Sequence, residues 1–284
     1  MIVVRIWEGL GNQLFQYAFA KALQMRTGKT VRIDTNRMFI KQLEGRRIAR
    51  KYSLDNFNIS LQKAYDCENK YFFLKQENIF EELLYELSNR NYLPSFYKET
   101  SLEYKPQMKT VADKVYLMGW FQDERYFIDY RDTILQEIKP IKQVNISQHL
   151  LNILLDECTV SVHIRRGDFT AAGNTLSLDY YNKARKIMEK KYDNPYYIIF
   201  SDDPMWVKKT YAVGSRAYFV SDEKLQDFEE LYIMSLCKNN IIANSTFSWW
   251  GAWLNQNPDK IVIGPTEWFK YKKINIMPEA WIKI

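Results

Sequence analysis

The feature that most constrains the fold is an alternation that begins near residue 145. Short runs rich in β-branched and aromatic residues recur at 160–164, 196–200, 217–220, 240–243 and 261–263. Between them lie stretches with helical spacing of apolar residues, at 178–192, 204–211, 225–238 and 247–254. Strands joined through helical crossovers run parallel, and a parallel sheet must cover both faces. Strand and helix alternating with short connections therefore describe a doubly wound α/β half. The start of the chain repeats the theme. Residues 2–7 read as a buried strand and 31–33 as another, joined by a helix over 13–27. That helix carries Leu14, Phe15, Ala18, Phe19, Ala22 and Met25 on one stripe and stops at Gly28. The stretch 36–144 is irregular, with helical spacing at 77–87 and a strand at 115–121. A last helix is expected from 278 to the end. The expectation is an α/β protein of two halves, 1–144 and 145–284, with a ligand between them; its 284 residues suit two domains at about 150 each.

Composition excludes several classes. With 46% hydrophobic and 15% aromatic residues the chain can fill a core. A net charge of +6 suits a polyanionic ligand, a nucleotide or an anionic membrane surface without choosing among them. Three scattered cysteines, Cys67, Cys158 and Cys237, argue against a disulfide framework and fit a reducing compartment. Two histidines, His149 and His163, leave too few ligands for a zinc site of His and Cys. No run approaches the roughly 20 apolar residues that cross a bilayer, and the N-terminal apolar run is short and interrupted by Arg5. The expected location is the cytoplasm, with a peripheral place at the inner membrane as its variant.

Four segments carry candidate chemistry. His163-Ile164-Arg165-Arg166-Gly167-Asp168-Phe169 falls at the end of a strand of the second half, the edge where open α/β sheets bind ligands. Its arginines can hold a phosphate bidentately, Gly167 allows a close turn, and Asp168 can orient an arginine. A solvated salt-bridge turn is the competing reading. Asn244-Ser245-Thr246-Phe247-Ser248-Trp249-Trp250 follows another strand and opens a helix. Helix N-terminal amides with Ser245, Thr246 and Ser248 can bind an anion, or the hydroxyls can simply cap. The tryptophans read as core before sugar platform. Ser201-Asp202-Asp203-Pro204 spells a helix cap first, with nucleotide contact by Asp202 or a metal as alternatives. Glu8-Gly9-Leu10-Gly11-Asn12 is a turn that lacks the third glycine of a dinucleotide-binding loop, so NAD is excluded, while Gly11 and Asn12 can still approach a ligand.

Taken together these segments, with Gln13-Leu14-Phe15-Gln16-Tyr17-Ala18 and Gly119-Trp120-Phe121-Gln122, resemble the bacterial α-1,2-fucosyltransferases of glycosyltransferase family 11 over nearly the whole chain. The resemblance implies a GT-B-type fold, two Rossmann-like domains facing a central cleft. It implies GDP-fucose as donor, no required metal, and a glycan acceptor ending in galactose. By likeness to more distant fucosyltransferases, Arg165 would hold the β-phosphate with support from His163 and Arg166. Asn244, Ser245, Thr246 and Ser248 would hold phosphate oxygens, and Glu230 would meet guanine. The sequence departs from the family at Glu8, where relatives usually have glycine. A glutamate near this turn is catalytic in some protein O-fucosyltransferases, which makes Glu8 a candidate base beside Asp34 and Asp168. The expected reaction is an inverting transfer in surface-glycan or O-antigen synthesis. A fucosyltransferase of another linkage, a nucleotide- or RNA-binding protein without catalysis, and an adhesin read from Arg166-Gly167-Asp168 are its rivals. Nucleic acid is not the expected partner, because the positive charge forms no long basic block.

Overall fold

The computed structural model describes residues 1–36, 40–43, 46–49, 51–65, 95–156, 158–171, 173–211, 214–269 and 274–284. The chain divides into two units, Met1–Lys139 and Pro140–Ile284. The helical stretch expected over 77–87 and Cys67 lie outside the described residues.

The first unit is built on a parallel sheet. Its strands are β1 (Ile2–Arg5), β2 (Val31–Asp34), β5 (Ser95–Lys98) and β6 (Val115–Met118), in the order β2-β1-β6-β5. Ile2, Val3 and Val4 are wholly buried, as expected of a central parallel strand covered on both faces. Helix α1 (Leu10–Thr27) begins three residues earlier than its apolar stripe suggests, with Gly9 at its N-cap, so Gly11 and Asn12 belong to its first turn rather than to a loop. β6 ends at Met118, before the expected 121, because Phe121 takes a left-handed backbone (φ 49°) that no strand accommodates. The irregular middle also supplies an antiparallel pair, β3 (Ile40–Leu43) with β4 (Arg46–Ala49), and helix α2 (Arg131–Glu137).

The second unit opens with α3 (Gln148–Asp156). Strands β7 (Thr159–Ile164), β8 (Tyr196–Ser201), β9 (Ala217–Phe219), β10 (Asn239–Ile241), β11 (Val262–Gly264) and β12 (Ile282–Lys283) form one sheet. Its order is β12-β11-β10-β7-β8-β9, and every pairing is parallel. Counted within the unit this is the Rossmann order 3-2-1-4-5-6, whose strand sequence reverses between β7 and β10. The helices are α4 (Gly167–Ala171), α5 (Leu178–Lys191), α6 (Pro204–Thr210), α7 (Asp227–Leu236) and α8 (Thr246–Leu254). Strand alternation sorts the core. Tyr197 and Ile199 of β8 pack with Tyr181, Ala184 and Met188 of α5. Ile198 and Phe200 pack with Leu150 and Leu154 of α3 and with Ile233 and Met234 of α7.

The C-terminal helix expected from 278 is absent. Ile282 and Lys283 instead pair in parallel with Ile263 and Gly264 of β11, adding an edge strand. A segment this short is decided by the free edge it meets rather than by its own periodicity. Each unit is thus a parallel α/β sheet of Rossmann type, the pair of folds expected of a GT-B-type chain.

Candidate functional site

The second unit brings its two ligand-competent turns to the point where strand order reverses. Arg165–Gly167 leaves the carboxyl end of β7, and Asn244–Thr246 follows β10, the neighbouring strand. That crevice is where open α/β sheets hold ligands. The two segments lie about eighty residues apart in sequence; the parallel pairing of β7 with β10 makes them neighbours.

Asp202, beyond the end of β8, organises the first turn. Its Oδ2 lies 2.9 Å from Arg165 Nη1, and its Oδ1 accepts the Arg166 backbone N–H at 2.8 Å. Gly167 is required for this approach, since a Cβ there would sit 2.5 Å from Asp202 Oδ2. Arg166 is engaged elsewhere. Its guanidinium carbon is 3.5 Å from the centroid of the Trp206 ring, and its Nε is 3.2 Å from Asp203 Oδ2. Asp203 also caps α6 by accepting the Trp206 N–H at 3.3 Å, with Pro204 following, which is the capping role expected of it. Both aspartates therefore serve arginines, and among the described residues no group of three His, Cys, Asp or Glu could hold a metal ion.

His163, on β7, is 5% exposed and packs 5.6 Å from the Phe247 ring. Burial, and then the Arg165 charge, push its pKa down to about 3, so the imidazole is neutral. Its Nδ1 has no hydrogen-bond partner among the described residues. Glu230, in the first turn of α7, is half-buried; burial, then Asp227, then Asp202 push its carboxyl up to about 7. Helix α7 follows β9 of the same parallel sheet, so its first turn, with Glu230, lies at the carboxyl edge that also carries the arginine turn. Asp168 is the second residue of α4, and its side chain lies outside the described residues.

In the second turn Ser245 is the N-cap of α8 and accepts the Phe247 N–H at 3.4 Å. Thr246 is the first helical residue and half-buried. The α8 N-terminus is thus an anion-competent end, with its dipole positive toward the crevice. Ser248 stands apart from the expected phosphate donors. It is 1% exposed and donates its hydroxyl to the Ser245 carbonyl at 3.3 Å. Asn244 Nδ2 donates to the carbonyls of Asn174 at 2.9 Å and Trp268 at 3.3 Å. Trp249, Trp250 and Trp253 are buried against one another and are core.

The first unit has its own polar cluster at the carboxyl ends of β1 and β6. Glu8 adopts φ 67°, the left-handed region that favours glycine, at the position where the family usually has that residue. Its carboxylate accepts the Asn12 side-chain amide and, at 3.2 Å, the Trp120 indole N–H. Asn12 Oδ1 in turn accepts from Gln122 Nε2 at 2.8 Å, and the Trp120 and Trp7 rings lie 5.1 Å apart. Gln13, wholly buried, donates to the carbonyls of Glu8 and Lys51 at 2.8 and 2.9 Å, and Gln16 accepts the Trp7 N–H at 2.9 Å. Glu99, 4% exposed, accepts the backbone N–H groups of Trp120 and Phe121 at 2.6 and 3.1 Å; burial raises its pKa. Asp34, a third candidate base, is wholly buried and accepts the Tyr116 hydroxyl at 2.6 Å and the Asn36 N–H at 3.0 Å, the bonds of a structural carboxylate.

Gln13, Gln16, Trp120 and Gln122 fall in the segments that carry the family resemblance but received no site role from the sequence, and Glu99 was not singled out at all. For the two helical glutamines the apolar stripe held no signal: both project off it, and they are buried because α1 is covered nearly all round, which obliges them to find buried partners. Glu99 carried none, because its partners come from a strand end twenty residues away.

The chain is 33% identical to the Escherichia coli O-antigen biosynthesis glycosyltransferase WbnK, covering 97% of this chain and 98% of that protein. It is 29% identical to an E. coli alpha-1,2-colitosyltransferase, covering 100% and 99%. The fucosyltransferase NodZ from Bradyrhizobium superposes with a TM-score of 0.47 at 15% identity, covering 88% of this chain and 92% of that one. The model of Glycosyl transferase family 11 matches residues 1–284, and the chain belongs to that family.

Proposed function

We propose that this glycosyltransferase moves L-fucose from GDP-fucose to O2 of a terminal galactoside, inverting the anomeric centre, in the assembly of a surface glycan such as O-antigen. The observation that supports it most is the meeting of the Arg165 turn and the α8 N-terminus at the strand-order reversal, where a diphosphate has charge partners from two strands. A β-linked donor giving an α-product requires attack opposite the leaving diphosphate, through a transition state of oxocarbenium character. Negative charge grows on GDP as the bond breaks, and fixed donors aimed at it lower the barrier.

In this reading Arg165 holds the β-phosphate, and the α8 amides with Ser245 and Thr246 hold phosphate oxygens. His163, Arg166 and Asp202 position Arg165, and Glu230 accepts from guanine. Ser248 acts within α8 rather than on the ligand. Glu8 is proposed to take the acceptor proton, held by Asn12 and Trp120 in its left-handed turn; Asp168 is the remaining candidate. The reaction needs no metal. The protein is proposed to work on the cytoplasmic side, peripheral to the membrane; among the described residues no helix is long and apolar enough to cross a bilayer.

A second reading rests on the E. coli alpha-1,2-colitosyltransferase: the donor sugar is colitose, which is fucose lacking its 3-hydroxyl. The deciding assay is GDP release from GDP-fucose and from GDP-colitose, with lactose or N-acetyllactosamine as acceptor and EDTA present, followed by NMR of the product. An α-1,2-fucosylated product supports the proposal in full. Turnover of GDP-colitose alone selects the second reading, and turnover of neither donor removes both.

A further inference from the structure

At the strand-order reversal the ordinary expectation for Asn244 is a phosphate contact, and its hydrogen bonding argues otherwise. An asparagine meets a phosphate only through its NH₂ donors, since its carbonyl oxygen is an acceptor and repels phosphate oxygens. Those donors are already engaged by the carbonyls of Asn174 and Trp268. Two backbone carbonyls on the nitrogen also fix which end of the amide is which. Asn174 belongs to the connection that leaves the carboxyl end of β7, and Trp268 to the one that leaves β11. The amide is therefore clamped among the loops at the carboxyl edge of the sheet, beside the α8 N-terminus. Asn244 is 5% exposed, and its Oδ1 has no hydrogen-bond partner among the described residues.

His163, on the adjacent strand β7, repeats the pattern, being 5% exposed with Nδ1 unpartnered among the described residues. Two strands that flank the reversal thus each end near a buried, uncharged polar atom without a hydrogen-bond partner among the described residues. Buried polar atoms in folded proteins are nearly always matched, so such a pair marks a place where a ligand supplies the match. A fixed, uncharged acceptor suits an O–H donor, and bound sugar nucleotides carry these on the ribose and on the transferred hexose.

We infer that Asn244 is a hydroxyl-reading residue: its Oδ1 accepts a hydrogen bond from one sugar hydroxyl of the bound nucleotide sugar, leaving the phosphates to Arg165 and the α8 N-terminus. This rests on the GDP-sugar reading above and deepens it. Asn244 then sets donor specificity, because a donor lacking that hydroxyl leaves the buried oxygen unmatched.

The test is a cycle of variants against deoxy ligands on the full chain. Binding is measured by calorimetry for GDP-fucose and its 2-, 3- and 4-deoxyfucose forms, and for GDP against 2′-deoxy- and 3′-deoxy-GDP. In the wild-type protein at least one deoxy form should bind about tenfold to a hundredfold more weakly than its parent, and one such discrimination should belong to Asn244. In Asn244→Ala that discrimination should fall to about twofold or less, while the other deoxy forms keep their ratios. A loss on the fucose series assigns the hydroxyl to the transferred sugar, and a loss on the ribose series to the nucleoside. A wild-type panel with no discriminated hydroxyl overturns the inference without any variant, even where Asn244→Ala fails to fold. An alanine variant that weakens every ligand equally also overturns it, assigning Oδ1 to a trapped water. If wild-type protein binds none of the GDP ligands, the GDP-sugar reading itself has failed, which is a different outcome from binding without discrimination.

Discussion

Arg165 and Asp202 are held 2.9 Å apart, Nη1 to Oδ2, on adjacent strand ends of the second sheet. The pair is only about a quarter exposed, so the aspartate fixes where the guanidinium can point while leaving it positively charged. Removing the charge should remove its effect on the leaving diphosphate. Arg165→Ala should lower kcat by about a hundredfold or more, on the order of 3 kcal/mol in the barrier. Steady-state kinetics with GDP-fucose check this, and near-normal turnover would take Arg165 out of the mechanism.

Gly167 tests the same relationship from the other side. A methyl at this position would press on Asp202 Oδ2, and Asp202 cannot withdraw without releasing Arg165 and the Arg166 amide. Gly167→Ala should therefore weaken GDP binding by about tenfold or more while changing the melting temperature little, because α4 starts at an exposed turn. Calorimetry and a thermal melt on one preparation separate the two effects.

Glu8 combines an unfavourable backbone with two side-chain bonds. Both Glu8→Ala and Glu8→Gly lose the bonds to Asn12 and Trp120, but only glycine relieves the left-handed φ. Glu8→Gly should be about 1 kcal/mol more stable than Glu8→Ala in urea denaturation. If Glu8 is the base, Glu8→Gln should retain the turn and lower kcat by about a hundredfold or more; unchanged kcat would leave the proton to Asp168 or to solvent.

Glu230 predicts a pH dependence with a definite sign. Its carboxyl in the folded protein titrates near 7, above the usual carboxylate range, because burial and two aspartates disfavour the charge. Between the ordinary carboxylate range and about 7 the folded chain holds a proton that the unfolded chain has lost. This group's contribution to stability therefore falls as pH rises through that window. Binding of guanine N–H donors demands the carboxylate, so GDP affinity should move the opposite way and strengthen as pH rises toward 7, with proton release on binding. Calorimetry in buffers of different ionisation enthalpy measures that release. A Glu230→Gln protein should show neither effect, and an unchanged pH profile in that variant would remove Glu230 from base recognition.

What was legible from residues alone was whatever local spacing governs. The strand-helix alternation after residue 145 forecast β7 to β11 and α5 to α8 within a few residues, because short β-branched runs and helical spacing of apolar residues are both local signals. Asp203 as a cap followed from Ser-Asp-Asp-Pro for the same reason, since a cap is made within one turn. The segments around Arg165 and Asn244 could each be picked out by chemistry, and Glu8 by its departure from glycine. Their use could not be read there. Strand order placed the Arg165 and Asn244 turns side by side at the reversal, and pairing across the sheet is a long-range choice with no local signature. Burial then divided residues of equal promise: Arg166 went to Trp206 and Asp203, Ser248 to its own helix, and Asp34 to Tyr116. The same holds for the tail at Ile282–Lys283, drawn into a strand by the free edge of β11. The sequence determined most elements of the second unit and which side chains can do chemistry. Only the tertiary structure decided which of those side chains keep a free polar atom, because that depends on neighbours brought in from distant parts of the chain.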